Sequence, residues 1–308
     1  MARPMRLAAL LLTTAALAAC NGSLTVNLTD TPADNATSVV VDFTGIELHN
    51  TNGQTTTINF PSAQQIDLMR LQNGVTAALL QGHSVPSGTY DWMQLNVLAD
   101  KDTQGESYIL LNTGAQYPLY IPSGSAGLKL ATSFTVAQSG TTQLLIEFNL
   151  RQSVTGADPD GQSYDLVPAM RLEDQTQVGT IAANVDLAAL ASQQLGSAAQ
   201  VAQCSGGLFV FAGGSVTPQN GGGASLVDLQ PIPNFGSATQ SSVSLPNLAR
   251  GSYTVAATCN YDLYAPTAVP GQSGYQTLHW TVQGNVSVTA NDTATITLPS
   301  GTTSNTVK

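Results

Sequence analysis

Side chains that could do acid–base or nucleophilic chemistry are few and widely spaced in this chain. The three histidines, His49, His83 and His279, show no spacing that matches a zinc motif. The nearest approach to the Gly-x-Ser-x-Gly motif is Ser123-Gly-Ser-Ala-Gly127, where Ser123 replaces the first glycine. A hydrolase would need a site assembled from distant residues. We therefore predict no catalytic residue and keep an envelope hydrolase as the second alternative.

The carboxylates also form no obvious site. Glu147 and Asp42 lie within strand patterns and could face inward, but simple surface alternation is the favoured interpretation. The segment Asp158-Pro-Asp-Gly161 superficially suggests calcium, yet a hairpin turn explains it better. We predict no metal and no cofactor. The weak metal candidates are Asp100, Asp102, Asp158 and Asp160.

The cysteine that is most informative about location is Cys20. Arg3 and Arg6 precede an apolar run over residues 7–17, and Leu17-Ala-Ala-Cys20 follows. This pattern is typical of a secretory signal peptide, here residues 1–19. The Cys at the cleavage point resembles the lipobox of bacterial lipoproteins. The resemblance implies that residues 20–22 form a lipidated N-terminus, while an ordinary signal peptide with a chance cysteine is the alternative.

If Cys20 carries lipid, Cys204 and Cys259 remain as the two other thiols. Two lone thiols usually pair in an oxidising compartment. A bond closing a loop of about 55 residues would stabilise the fold by roughly 4 kcal/mol in the chain-entropy description. We predict this disulfide, and two buried reduced cysteines are the alternative.

The charge balance limits the partners of this chain. Asp and Glu number 19 against 9 Lys and Arg, a formal net charge of −10. Nucleic-acid binding needs clustered Lys and Arg, so we expect no nucleic-acid partner. Beyond the leader, no second apolar run approaches the roughly 18 residues that a membrane crossing needs. Attachment to the membrane would therefore come from the lipid on Cys20.

Composition and hydrophobic periodicity predict an all-β protein with two β-sandwich domains. Hydrophobic residues make up 42% of the chain and charged residues 9%. Short alternating segments are separated by Gly, Pro, Asn and Asp. The first domain spans residues 23–173, the second spans 178–299, and residues 300–308 are predicted to be a disordered tail.

The first domain is expected to carry a short helical insertion over residues 66–81. Apolar residues recur there at helical spacing, and Asn73-Gly74 is predicted to divide the segment into two short helical pieces. Residues 187–203 of the second domain are predicted to form a short helix or a long loop. The apolar residues with helical spacing are Leu68, Leu71, Val75, Leu79 and Leu80.

Residues 23–173 resemble the bacterial domain of unknown function 4382. This family has no established activity, so the resemblance implies location and fold more than function. Residues 178–299 resemble the prealbumin-like, carboxypeptidase-regulatory-like or immunoglobulin-like β-sandwiches through one hairpin, residues 245–257, which implies a non-enzymatic spacer or binding domain. The segments that carry the first resemblance are 23–34, 41–49, 66–74, 85–90, 128–130, 148–154 and 164–172.

These observations predict a lipid-anchored cell-envelope protein that acts as a non-catalytic binding or structural module. It would sit in the outer membrane, facing the periplasm or the cell surface, with a carbohydrate or an envelope protein as ligand. A carbohydrate-binding or adhesion lipoprotein is the first alternative, since Tyr90, Trp92, Tyr117 and Tyr120 could form a sugar-binding face. Core packing is the favoured interpretation for at least half of these rings.

Overall fold

The computed structural model describes most of the chain, and all structural statements below concern the described residues. They are residues 20–31, 36–101, 106–122, 127–157, 161–220, 225–233, 239–264, 278–280 and 282–299, together with the backbone of 304–305.

The N-terminal half consists of two β-sheets with very little helix, which confirms the predicted all-β class. One sheet has the strand order β13-β10-β1-β4, and the larger one has the order β11-β12-β7-β6-β2-β5-β8, with β3 on β2 and β9 on β5. The strands are β1 (Asn21–Thr31), β2 (Ala36–Asn50), β3 (Thr55–Asp67), β4 (Ala77–Pro86), β5 (Gly88–Leu98), β6 (Tyr108–Leu111), β7 (Gln116–Tyr120), β8 (Gly127–Leu130), β9 (Phe134–Val136), β10 (Thr141–Asn149), β11 (Val154–Ala157), β12 (Tyr164–Leu166) and β13 (Met170–Asp174).

Strand β1 organises the smaller sheet. Leu24, Val26 and Leu28 alternate with less buried residues and are fully inaccessible to solvent, as the period-2 pattern predicts. On one side β1 pairs in parallel with β10, and on the other it pairs antiparallel with β4. Its two ends therefore lie at opposite ends of this sheet.

Strand β2 bends at Gly45. The pairing of β2 with β3 and with β5 shifts register between Phe43 and Gly45, which marks a β-bulge. A Cβ at Gly45 would overlap the carbonyl oxygen of Ile58 on β3. Glycine is therefore needed here because the neighbouring backbone approaches so closely.

The helical prediction for residues 66–81 is mostly wrong. One 3₁₀ turn, Leu68–Arg70, is present, but Ala77–Pro86 is strand β4. The exposed edge of β1 explains this result, since its backbone groups need partners and β4 supplies them through inter-strand hydrogen bonds. The other helix of the half is α1 (Leu150–Ser153).

The C-terminal half has two further sheets. Their strand orders are β17-β14-β20-β21 and β16-β15-β18-β19. The helical elements are α2 (Leu187–Leu195) and two 3₁₀ turns, Ala198–Gln203 and Tyr261–Leu263. The strands are β14 (Val178–Asp186), β15 (Gly207–Ala212), β16 (Leu226–Pro231), β17 (Gln240–Ala249), β18 (Gly251–Thr258), β19 (Val282–Val288), β20 (Thr293–Leu298) and β21 (Ser304–Asn305).

Helix α2 has a defined start and end. The Asp186 side chain accepts a hydrogen bond from the Ala189 amide at 2.9 Å, which caps the N-terminus. Gly196 ends the helix in the left-handed conformation with φ of 85°. Of the two predictions for residues 187–203, the short helix is the correct one.

The predicted disulfide is present. Cys204 and Cys259 are bonded, with their Cα atoms 4.5 Å apart and both side chains buried. This distance lies within the range that a disulfide can span. The bond links the segment before β15 to the segment after β18.

Buried hydrophobic side chains group by half. One cluster contains residues between Leu24 and Leu172, and two clusters contain residues between Ile181 and Leu298. We propose on this basis that the halves are the two predicted domains. Within the predicted tail, Ser304–Asn305 pair with β20, and residues 300–303 and 306–308 lie outside the described residues.

Candidate functional site

Four carboxylates and one guanidinium meet where the two halves of the chain touch. Asp30, Glu147, Arg171 and Glu173 come from the N-terminal half, and Asp228 comes from the C-terminal half. We call these five residues the interface cluster. It is the largest grouping of interacting ionisable side chains that the described residues form.

Three adjacent strands position the cluster. Glu147 lies on β10 and is directly opposite Thr29 of β1 on one side and Arg171 of β13 on the other. Side chains at such cross-strand positions lie about 5 Å apart at Cβ, close enough to bond. Asp30 follows Thr29 near the end of β1. Strand β16 of the other half brings Asp228.

Arg171 connects the acids of the cluster. Its Nη2 donates to Glu147 Oε2 at 2.5 Å, and its Nη1 donates to Glu173 Oε1 at 3.2 Å. Nη1 also donates to the backbone carbonyl of Asn247 at 2.9 Å, which links the two halves directly. Arg171 thus interacts with Glu147, Glu173 and Asp228, while Asp30 adds a fourth carboxyl group beside Glu147, so one positive charge does not balance the acids of the cluster.

Burial raises the pKa of every acid in the cluster. The pKa of Glu147 rises to about 8 and that of Asp228 to about 6, mainly through desolvation, while the charge of Arg171 opposes both shifts. Desolvation also raises the pKa of Glu173, and it raises that of Asp30 well above the ordinary value, with Glu147 adding to the effect on Asp30. The cluster therefore retains protons at pH values where exposed carboxyl groups have lost them.

Asp30 is the least compensated member. Its side chain is 3% exposed, and neither carboxylate oxygen has a hydrogen-bond partner within normal geometry among the described residues. The backbone amides of Thr31 and Leu150 lower the pKa of Asp30, but burial raises it by more. A buried ionised carboxylate without partners is costly, so the neutral acid is the favoured form.

A cavity of about 340 Å³ adjoins the cluster between the halves. Its lining holds one acid, Glu147, and one base, Arg171, and the side-chain amides of Asn149 and Gln152 can donate to or accept from a small polar group. No group of three or more His, Cys, Asp and Glu able to hold a metal ion is found within the described part of the chain. The lining residues are Glu147, Asn149, Gln152, Pro168, Ala169, Met170, Arg171, Leu226 and Val227.

Helix α1 makes a second set of contacts between the halves. The Arg151 guanidinium lies 4.1 Å from the ring centroid of Tyr261, and its Nη2 donates to the Tyr261 carbonyl at 3.2 Å. Gln152 Nε2 lies 2.8 Å from the hydroxyl of Tyr264. Together with the interface cluster, these contacts fix one half against the other.

The interpretation of Glu147 and Asp42 as surface residues is wrong. Glu147 is 4% exposed and Asp42 is 7% exposed. Glu147 stands inside the apolar run Leu-Leu-Ile-Glu-Phe of residues 144–148, and β10 is covered on both faces, so alternation does not apply to it. The signal in the sequence that indicates a buried acid at Glu147 is a single acid within an apolar run. Asp228, in the Leu-Val-Asp-Leu run of residues 226–229, shows the same signal.

Comparison with known families gives a match over the N-terminal half. Residues 21–168 match the family described as "Domain of unknown function (DUF4382)". These residues are the part of the chain that is similar to this family, and we refer to this part as the DUF4382 domain. The resemblance seen in the sequence is therefore confirmed. The match includes Asp30 and Glu147 but ends before Arg171 and Glu173, so the cluster lies partly outside the matched region.

Solved structures that align with the chain do so weakly. A leucine-rich repeat protein from Bacteroides thetaiotaomicron has 14% identity and a TM-score of 0.21; 90% of this chain aligns but spans only 26% of that one. The CBM26 module of Eubacterium rectale Amy13K, solved with maltoheptaose, has 12% identity, covers 93% and 98% of the chains, and has a TM-score of 0.20. The fimbrial anchor protein Mfa2 from Porphyromonas gingivalis has 12% identity, coverages of 77% and 78%, and a TM-score of 0.17. No curated protein matches the chain.

Of the four predicted metal candidates, Asp100 lies within the described residues. Asp100 is exposed beyond β5, and Asp102, Asp158 and Asp160 lie outside the described residues. The histidines of the chain are also separate. His49 contacts Thr55 through Nδ1 at 3.1 Å, and His83 and His279 are exposed.

The four aromatic residues of the DUF4382 domain do not form a flat sugar-binding face. Tyr90 is buried in the core and stacks on Phe134. The ring of Trp92 stacks on His49 at 4.9 Å and has Lys129 Nζ 4.1 Å from its centroid. Because these neighbours occupy the Trp92 ring, it is poorly placed to stack on a sugar. The other two rings contact neighbouring side chains: Tyr117 contacts Tyr164, and Tyr120 contacts Lys101.

A larger cleft of about 580 Å³ lies in the C-terminal half, at the end of β14 away from the DUF4382 domain. Most of its polar side chains are neutral, and Ser242 Oγ of β17 donates to Asn184 Oδ1 of the paired strand β14 at 2.6 Å. Such groups both donate and accept, as an uncharged polar ligand requires. The lining residues are Asn184, Val185, Asp186, Ala189, Gln240, Ser241, Ser242, Thr297, Leu298 and Pro299.

Cys20 lies at the start of the DUF4382 domain as an exposed free cysteine. Strand β1 begins at the next residue, Asn21. The Cys20 carbonyl accepts hydrogen bonds from the Ser87 amide at 2.8 Å and from the Ser87 hydroxyl at 2.6 Å. Among the described residues, no helix has the length and apolar character that a membrane crossing requires.

Proposed function

We propose that this protein is a lipid-anchored cell-envelope protein that acts as a non-catalytic binding module. The observation that supports the lipid anchor is the position of Cys20. It is an exposed free thiol that follows the Leu17-Ala-Ala segment and directly precedes β1. An acylated residue at this position would hold the folded protein on the outer membrane, facing the periplasm or the surface. Two or three acyl chains give stable anchoring where a single chain gives marginal binding.

The positions of the ionisable side chains support a non-catalytic role. The carboxylates that the fold brings together are buried against Arg171, where they join the two halves. A general base or nucleophile needs access to a substrate, and these groups are held in an interface. The histidines, which most often serve as general bases, lie apart from the cluster.

The cleft at the end of β14 supports binding of an uncharged polar ligand, such as a carbohydrate or a polar segment of an envelope protein. Asn184, Gln240, Ser241, Ser242 and Thr297 offer amides and hydroxyls in one concave surface. Ligand orientation in such a site would depend on hydrogen bonds, since the described residues that line it include no aromatic ring.

The anchor is tested by replacing Cys20 with Ser. We expect the variant to leave the membrane fraction and to lose incorporation of a labelled fatty acid, because the acyl chains on Cys20 are the attachment that we propose. Ser23→Ala, three residues along β1, is the matched control and should stay membrane-bound. Wild-type protein without lipid on Cys20 by mass spectrometry would overturn the anchor.

The binding role is tested with the soluble Cys20→Ser protein on a glycan array and against isolated envelope proteins. We expect saturable binding that weakens at least tenfold in the Asn184→Ala, Ser242→Ala double variant. Thr57→Ala, on the exposed face of β3, is the control. Binding that survives the double variant would place the ligand elsewhere, and catalytic turnover of a bound glycan would contradict the non-catalytic proposal.

A further inference from the structure

We infer that the end of the DUF4382 domain around Cys20 lies directly against the lipid headgroups, and that the C-terminal half is held away from the bilayer at the opposite end. This inference rests on the proposed lipid anchor and adds to it an interaction surface and an orientation. Its partner is a phospholipid membrane surface.

The first step is the absence of a tether between the anchor and the fold. The Cys20 carbonyl is bound by both the amide and the hydroxyl of Ser87, and Asn21 already pairs with Pro86 of β4. A flexible linker would let the protein reorient over the membrane. Here the lipid-bearing residue belongs to the sheet, so the anchor fixes which end of the domain faces the lipid.

The second step identifies the surface at this end. Thr51, in the turn between β2 and β3, donates from its amide to the Thr89 carbonyl at 3.1 Å, two residues beyond Ser87. Ser23 pairs with Thr141 at the start of β10. The turn of residues 50–54 and the segments around 87–89 and 137–141 therefore surround Cys20.

The third step is the charge of this surface. Residues 20–29, 48–66, 84–90 and 130–146 contain no Asp, Glu, Lys or Arg, in a chain whose formal net charge is −10. The charged residues that flank these segments nearest the Cys20 end are Asp91 and Lys129, whose charges are opposite. Anionic lipid surfaces repel acidic protein surfaces over about a Debye length. An uncharged end lets an acidic protein approach such a surface without that repulsion.

The fourth step places the C-terminal half. Strand β1 carries Cys20 before its first residue and Asp30 near its last, roughly 30 Å apart at the usual strand rise. Contacts to the C-terminal half lie at this far end, through the interface cluster and through Gly74, which faces Pro246. The cleft at the end of β14 lies further away, since β14 starts next to the domain boundary.

The experiment uses single-cysteine labels in the full-length lipidated protein. Cys20 carries lipid and Cys204 and Cys259 are paired, so an introduced thiol is the one that reacts. Asn52→Cys puts a fluorophore in the exposed turn beside the anchor, and Thr76→Cys puts one on the exposed segment before β4, at the far end. Both proteins are reconstituted into phosphatidylethanolamine–phosphatidylglycerol vesicles that contain headgroup-spin-labelled lipid.

We expect the label at position 52 to be quenched at least threefold more than the label at position 76. Equal quenching, or stronger quenching at position 76, would overturn the orientation. Hydrogen exchange of the unlabelled protein provides the second measurement. We expect the amides of residues 51–54 to exchange more slowly on vesicles than in detergent. Failure of the lipid anchor would give a different result from failure of the orientation. The wild-type protein would then lack lipid by mass spectrometry and would not bind the vesicles.

Discussion

At the scale of single residues, Arg171 holds the contact between the halves together, because it interacts with three buried or half-buried acids, Glu147, Glu173 and Asp228. Arg171→Met removes this charge and leaves Glu147 without its partner. Breaking a buried pair by removing one partner typically costs about 3–5 kcal/mol. We expect a loss of that order in the free energy of unfolding, measured by urea denaturation at pH 9, where Glu147 is ionised.

Arg70→Met is the matched control for this substitution. Arg70 also pairs with an acid, Asp67, at 3.3 Å, but its side chain is 84% exposed. Exposed pairs contribute about 0–1 kcal/mol, so the control should change stability little. Equal effects of the two substitutions would contradict the role assigned to Arg171.

The cluster should make stability depend on pH. The pKa of Glu147 rises from 4.5 to about 8 on folding, so the folded protein binds more protons than the unfolded chain between these values. This contribution to stability is fully present below about pH 4.5 and is lost as the pH rises through 8. We expect the melting temperature to fall from pH 5 to pH 8.5, with a shallower fall in Glu147→Gln.

The control for the pH profile is Asp91→Asn, which removes an exposed acid of β5. It should keep the wild-type slope. A Glu147→Gln protein with the wild-type slope would show that Glu147 does not carry the pH dependence.

At the scale of elements, β15 packs so closely against the turn Tyr261–Leu263 that there is no room for a side chain at Gly207. A Cβ at Gly207 would overlap the ring of Tyr261, and Arg151 stacks on that ring and restrains it. Gly207→Ala should therefore destabilise the C-terminal half by about 1–3 kcal/mol, as overpacking usually does.

The matched control is Gly214→Ala, where the nearest atom to a new Cβ lies 3.9 Å away. Thermal melting of both variants is the measurement. A Gly207→Ala protein as stable as the control would mean that the Tyr261 ring moves at little cost.

At the scale of the whole molecule, the two halves should each fold alone. Each buries its own hydrophobic clusters, and the interface between them is rich in acids that regain hydration on separation. Residues 21–174 and 178–299, expressed separately, should each melt cooperatively. Reductant should lower the melting temperature of the second fragment alone, since Cys204 and Cys259 both lie in it. Non-cooperative melting of both fragments, or equal sensitivity to reductant, would contradict the division.

Local chemistry determined what could be predicted from the sequence. Alternation predicted the strands of the all-β class, such as β1, and the two thiols that remain if Cys20 is lipidated predicted the disulfide. Each of these features depends on near neighbours in sequence or on a simple count of residues, so each is visible in a single chain.

Only the tertiary structure decided the features that depend on which strands become neighbours. Residues 77–86 became a strand because the edge of β1 needed a partner, which overrode a weak helical spacing. Glu147 became buried because β10 lies between β1 and β13 with both faces covered. Asp30, Arg171 and Asp228 are far apart in sequence, and their meeting depends on how one half packs on the other. Such a site has no local signature, because long-range packing creates both the burial and the partners that shift its pKa values.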